Sequence, residues 1–240
     1  MDKDTDMATE EQWKKRISTR CFDQENIPDI KLIEEIETCL NFLPIQISEN
    51  NSNKPNYVVF RLNPDDKELK EFLVRNVFNI NDDYGPEEYF TELVDAPYTY
   101  IFVRLDIRKR GPIEPNPHIL LRNVGVAVGA LVAEAVSRDI DICQIACTGG
   151  YPIGRKENSK TDKRVSSALS KRFHKEMDYF KKTYGEELKF GRIEMGIGLG
   201  FRKILDNGGY IQYHKELELP TVFHSKLSDR KYPFMFVRDV

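Results

Sequence analysis

Two guanidinium groups and a hydroxyl recur at alternate positions near the start of the chain: Arg16, Ser18 and Arg20 in the segment RISTR. Arginine-to-phosphate hydrogen bonds are charge-assisted, short and directional, so three such groups on an unwound helix end can converge on one anion. The same residues also suit a solvated basic helix end, where positive charge complements the helix dipole.

Other patterns carry less chemistry. GIGLG at 196–200 is followed by Phe201 where a dinucleotide fingerprint needs its last glycine, and TGGYPIGRK lacks the spacing and Lys-Ser/Thr pair of a phosphate loop. The basic residues between Arg155 and Lys175 are interrupted by Glu157 and Asp162. They read as a solvated surface, with nucleic acid or the 2′-phosphate of NADPH as the alternative. Cys21, Cys39, Cys143 and Cys147 include no CxxC pair, and the four histidines lie at no ligand spacing from them, so no metal site or disulfide is expected.

The elements that position these residues are legible from periodicity. Thr9 and Gln12 form a capping-box pattern, which predicts a first helix from about Glu10 into RISTR with Trp13 and Ile17 on one face. Asp29 caps a second helix with apolar positions Ile33, Ile36, Leu40 and Leu43, stopped by Pro44. YVVFRL from Tyr57 predicts a strand. Asn63 and Pro64 predict the start of a helix reaching about Val77, and a shorter helix follows near 87–93. YTYIFVRLDI predicts a second strand, and the proline-rich RKRGPIEPNPH a surface loop. Between Val124 and Ala133 no side chain is polar. That predicts a helix buried on most sides, since ten apolar residues fall short of the ~20 needed to span a bilayer. Gly125, Gly129 and Ala133 share one of its faces, where another backbone is expected to approach. ICQIAC reads as a third strand followed by TGGYPIG as a turn, then a charged, mobile stretch over 155–164 and an amphipathic helix over about 165–180. RIEMGIGLGF reads as a fourth strand, and YIQY and FMFV as short β pieces in the tail.

With 240 residues and no linker-like segment, one domain is expected over 13–240 after an acidic arm at 1–12; residues from about 202 onward form a tail wrapping the domain or a partner subunit. A net charge of −3 argues against a protein that coats nucleic acid. The opening MDKDTDMATEEQ lacks the pattern of a signal peptide, so a cytoplasmic protein without membrane segments is expected. The fold class is α+β, helices flanking a central, mainly antiparallel sheet.

RISTRCF is similar to the opening R-x-S-x-(R/K)-x-F pattern of the FMN-dependent nitroreductase family. Later segments resemble that family in order: LNFLP with the Asn-rich loop and YVVF, ELVDAPYTYIFV, GVAVGALVAEAVSRDIDI, and IEMGIGLGF. The resemblance covers most of residues 13–201 and, weakly, the tail, and implies a nitroreductase-like fold. It further implies that Arg16 holds the FMN phosphate with Ser18 beside it, that Arg20 lies near the N1 and O2 edge of the ring, and that Thr148, Gly149 and Gly150 face the ring. Asn51 or Asn53 would offer an amide to the flavin, and Arg230 or Lys231 would complete the phosphate site. The expected reaction passes hydride from NAD(P)H through FMN to an electron-poor small-molecule acceptor by a ping-pong mechanism, with no side chain acting as acid or base. A homodimer with flavin at the subunit interface is implied, and with it close packing of the Gly125–Gly129–Ala133 face near the two-fold axis. The chain departs from the family in NNSNKPNY, which has no Gln or Trp, in Gly129-Ala130 in place of a polar pair, and in Phe201 without a following proline. These departures leave room for a scaffold that binds flavin, nucleotide or a protein partner without turnover.

Overall fold

The computed structural model describes residues 10–16, 18–19, 21–41, 57–76, 95–106, 117–153, 190–206, 208–214 and 219–223. Their elements are α1 (Glu10–Lys15), α2 (Ile30–Glu37) with a 3₁₀ turn at Thr38–Asn41, β1 (Tyr57–Leu62), α3 (Lys67–Asn76), β2 (Tyr98–Asp106), α4 (Pro117–Ser137), β3 (Asp141–Ile153), β4 (Phe190–Gly200), β5 (Tyr210–His214) and β6 (Leu219–Phe223). Strands β1 to β4 form an antiparallel sheet in the order β1-β2-β4-β3, and β5 and β6 pair antiparallel by themselves. The expected α+β architecture is present.

The pleat of the central strand β2 divides its side chains between two buried faces. Tyr98, Tyr100 and Phe102 join Ile142, Ile197 and Leu199 against α4, which contributes Val124, Ala127, Val128, Leu131, Val132, Ala135 and Val136. Thr99, Ile101 and Val103 alternate with them and are buried as well. α2 completes the α4 layer through Ile33 and Ile36, both 0% exposed. Asp29 caps α2 as expected, its carboxylate accepting from Lys31 N at 2.8 Å.

Four sequence expectations need correction. α4 is not buried on most sides: Leu121 and Val126 are 44% and 43% exposed, and a Cβ built on Gly125 or Gly129 meets nothing within 4 Å. An apolar run cannot reveal which of its faces the chain covers, and here the sheet covers one. α3 starts later than Asn63-Pro64 suggests, because Asn63–Asp66 forms a turn in which Asp66 Oδ2 accepts from Asn63 N at 2.9 Å; the Asp66 carbonyl then takes the helix's first hydrogen bonds. β3 does not end before TGGYPI but continues through it. In the tail, LPTVF pairs with β5, a strand disguised by Pro220. FMFV, the loop 107–116 and the expected helices near 87–93 and 165–180 lie outside the described residues.

α4 ends in a Schellman turn. Asp139 has φ 54°, Ile140 N donates to Ala135 O at 2.9 Å, and Asp139 N donates to Val136 O at 3.1 Å. This turn aims the chain directly into β3 and sets where Asp141 begins the strand.

Candidate functional site

Ser18 and Thr19 of the RISTR segment lie along the β3 edge of the sheet. β3 is an edge strand, and the chain beyond α1 adds to it: Ser18 bridges Ile142 in parallel, and Thr19 N donates to Ile142 O at 2.8 Å. The same strap then crosses the end of β4, where Asp23 N donates to Phe201 O at 2.8 Å and Lys203 N to Cys21 O at 3.0 Å. Helix α1 therefore stops at Lys15 because the following residues find their hydrogen bonds on another element.

Arg16 is half-buried where helix gives way to strap, and its Nη2 donates to Gln144 Oε1 at 3.4 Å. It lines a cavity of about 220 Å³ together with Gln12, Val136, Asp139, Ile140, Asp141, Ile142 and Arg202. Val136, Ile140 and Ile142 make an apolar floor. Asp141 and Arg202 lock one wall. The carboxylate accepts from Arg202 Nε at 2.9 Å, from its Nη2, and from its backbone N at 2.8 Å. The antiparallel register pairs Asp141 with Gly200, which brings the two charges together just past the strand ends. Gln12 Nε2 fastens α1 to the C-terminus of α4 by donating to Ser137 O at 2.9 Å. Next to Ser18 on the strap, Thr19 is 2% exposed and its Oγ1 has no hydrogen-bond partner among the described residues.

Farther along β3 lies the glycine candidate. Pairing with β4 stops at Ala146↔Met195 and resumes at Tyr151↔Ile193, so Cys147, Thr148, Gly149 and Gly150 stand opposite Glu194 alone. β2 shifts register at the same point, between Phe102 and Val103, which leaves Glu194 as an inserted residue of β4. Its carboxylate accepts from Arg104 Nε at 2.7 Å, with both side chains little exposed. Thr148 to Gly150 thus form an outswing with no register partner of their own on β4.

One strand, β3, therefore carries both candidates, with Arg16 and Ser18 at Ile142 and Gln144 and the outswing at 147–150. Arg20, Asn51, Asn53, Arg230 and Lys231 lie outside the described residues. Sequence reasoning missed Gln12, Gln144, Asp141 and Arg202. An acidic residue before one strand and a basic one after another were the available signal, but they become neighbours only through the register.

Neither the Cys21 nor the Cys39 thiol is activated. Burial, then the charge of Asp95, raises the pKa of Cys21, and burial pushes Cys39 up to about 11. No group of His, Cys, Asp and Glu able to hold a metal occurs among the described residues, and no helix there is long and apolar enough to cross a membrane.

No protein-family model matches the chain, and no curated protein matches it. Among solved structures, it is similar to a nitroreductase family protein from Clostridium novyi NT, with 17% identity, 80% of this chain and 84% of that chain covered, and a TM-score of 0.49. An FMN-dependent nitroreductase from Clostridium difficile R20291 gives 16% identity over 94% and 96% of the two chains at 0.48. A nitroreductase with bound FMN from Bacteroides fragilis NCTC 9343 gives 17% over 80% and 87% at 0.47. Each of these scores is below 0.5.

Proposed function

We propose that this chain is an FMN-dependent oxidoreductase of the nitroreductase type, working as a cytoplasmic homodimer. The observation that carries the reading is the joining of the RISTR strap and the glycine outswing by β3. The donor set fits the cofactor. Arg16 offers a guanidinium at a cavity wall, the buried Thr19 hydroxyl is left without a partner, and the outswing presents backbone N–H groups with no Cβ at two successive positions. When bound, FMN supplies two-electron chemistry between NAD(P)H and an electron-poor acceptor such as a nitroaromatic or quinone.

The chain's own residues divide the remaining work. Arg16 anchors the phosphate, and Ser18 adds a hydroxyl held in place by its bridge to Ile142. Arg20 would stabilise negative charge on the ring, and Arg230 and Lys231 would add charge at the phosphate. Thr148, Gly149 and Gly150 would orient the ring by backbone hydrogen bonds, and Asn51 or Asn53 would offer it an amide. The uncovered α4 face supports the dimer, because Gly125 and Gly129 leave room for a close partner and Leu121 and Val126 are apolar and exposed beside them.

Purified protein tests this directly. It should be yellow, with an absorption band near ~450 nm that NAD(P)H bleaches. Colourless protein that takes up no added FMN refutes the reading. Arg16→Ala should weaken FMN binding by at least about 1.5 kcal/mol, the lower end for a hydrogen bond to a charged group; unchanged affinity removes Arg16 from the site.

A further inference from the structure

Lys70 belongs to α3, far in sequence from the strap, yet it is 1% exposed. Its Nζ donates to Ala96 O at 2.8 Å and Pro97 O at 3.0 Å. Such complete removal of an ammonium from water is unfavourable unless its donors are engaged. An apolar side chain would fill this volume with no buried charge, but it would leave two buried carbonyls without their donor.

The turn held by Lys70 meets the strap. A Cβ on Gly200 would lie 2.5 Å from Pro97 Cδ, 3.0 Å from Pro97 Cγ and 2.8 Å from Phe22 Cδ1, so both rings close over that glycine. Phe22 is 1% exposed, packs with Ala96 and Cys143, and bridges Arg202. Gln24 Nε2 donates to Asp95 O and, at 3.4 Å, to Phe22 O. Contacts therefore run from α3 through Asp95–Pro97 to Phe22, which belongs to the same strap as Ser18 and Arg16.

We infer that Lys70 is a positioning residue for the anion-binding strap: by fixing the Ala96 and Pro97 carbonyls it holds the surface on which Phe22 docks, and so keeps Arg16 and Ser18 on the edge of β3. Its consequence for FMN rests on the function proposed above, whereas its ordering of the strap does not.

The test compares Lys70→Met with Leu73→Ala, which removes ordinary core packing from the same helix, where Leu73 is 1% exposed. Hydrogen exchange followed by mass spectrometry reads protection of strap peptides over 18–24 relative to β2, and fluorescence titration reads FMN affinity. Lys70→Met should speed strap exchange and raise the Kd for FMN, each about tenfold, as expected for loss of hydrogen bonds to a charged donor. Leu73→Ala should leave the ratio of strap to β2 protection unchanged. Lys70→Gln, which keeps an amide donor, should fall between wild type and Lys70→Met and carries the comparison if Lys70→Met does not fold. Strap protection unaltered by the Lys70 variants, or lowered equally by Leu73→Ala, overturns the inference. A strap that loosens as expected in a protein that takes up no FMN refutes the flavin reading and leaves the positioning role standing.

Discussion

The buried ammonium of Lys70 makes stability depend on pH in a direction opposite to that of most buried acids. Burial pushes its pKa down to about 8 from 10.5, against the opposing pull of Asp66, Asp95 and Asp65. Between those two values the unfolded chain retains a proton that the folded chain has released. Stability therefore rises with pH across that window, whereas below about pH 8 both states are protonated and the contribution is absent. A depression of roughly two and a half pH units corresponds to about 3 kcal/mol over the whole window. Raised thiols act in the other sense: Cys39 keeps its proton in the fold after the unfolded thiol has lost it, so it lowers stability as pH rises past 9.0. The measurement must therefore be a difference between wild type and Lys70→Met, with urea unfolding at pH 7, 8, 9 and 10. At pH 7 the two proteins should lie within about 2 kcal/mol, because relief of the buried charge offsets the loss of donors to Ala96 O and Pro97 O. By pH 10 wild type should have gained about 2–3 kcal/mol on the variant. A difference that stays flat from pH 7 to pH 10 would refute the claim that folding discharges this lysine.

Gly200→Ala should destabilise the protein by about 1–3 kcal/mol in denaturant unfolding, since its Cβ meets the Pro97 and Phe22 rings and a proline ring cannot turn aside. Gly129→Leu should be accepted by the single chain, whose stability should hold or improve by a few tenths of a kcal/mol up to about 1; sedimentation should show loss of the dimer, and an intact dimer would remove α4 from the interface. Arg202→Met leaves Asp141 little exposed without its guanidinium and should cost about 2–4 kcal/mol, with Asp141→Asn milder because it keeps an oxygen for the Arg202 amide.

Local chemistry made several elements readable before any coordinates. Asp29 could be assigned as a cap because its carboxylate needs only the amide two residues on, and YVVFRL and YTYIFVRLD as strands because β-branched and aromatic runs suit a pleated, buried surface. RISTR could be marked as an anion-binding candidate from residue types and spacing alone. What the sequence could not settle depends on partners far along the chain. The apolar run of α4 is the same whether one face or all are covered, and only the sheet's position leaves Gly125 and Gly129 open. The glycines of Thr148–Gly150 read as a turn, and only the insertion of Glu194 in β4 shows that they swing out of a continuing strand. The Asp141–Arg202 lock and the burial of Lys70 under Ala96 and Pro97 join residues 61 and 26 or more positions apart. Such pairs are fixed by strand register and layer packing, which no local window of sequence contains.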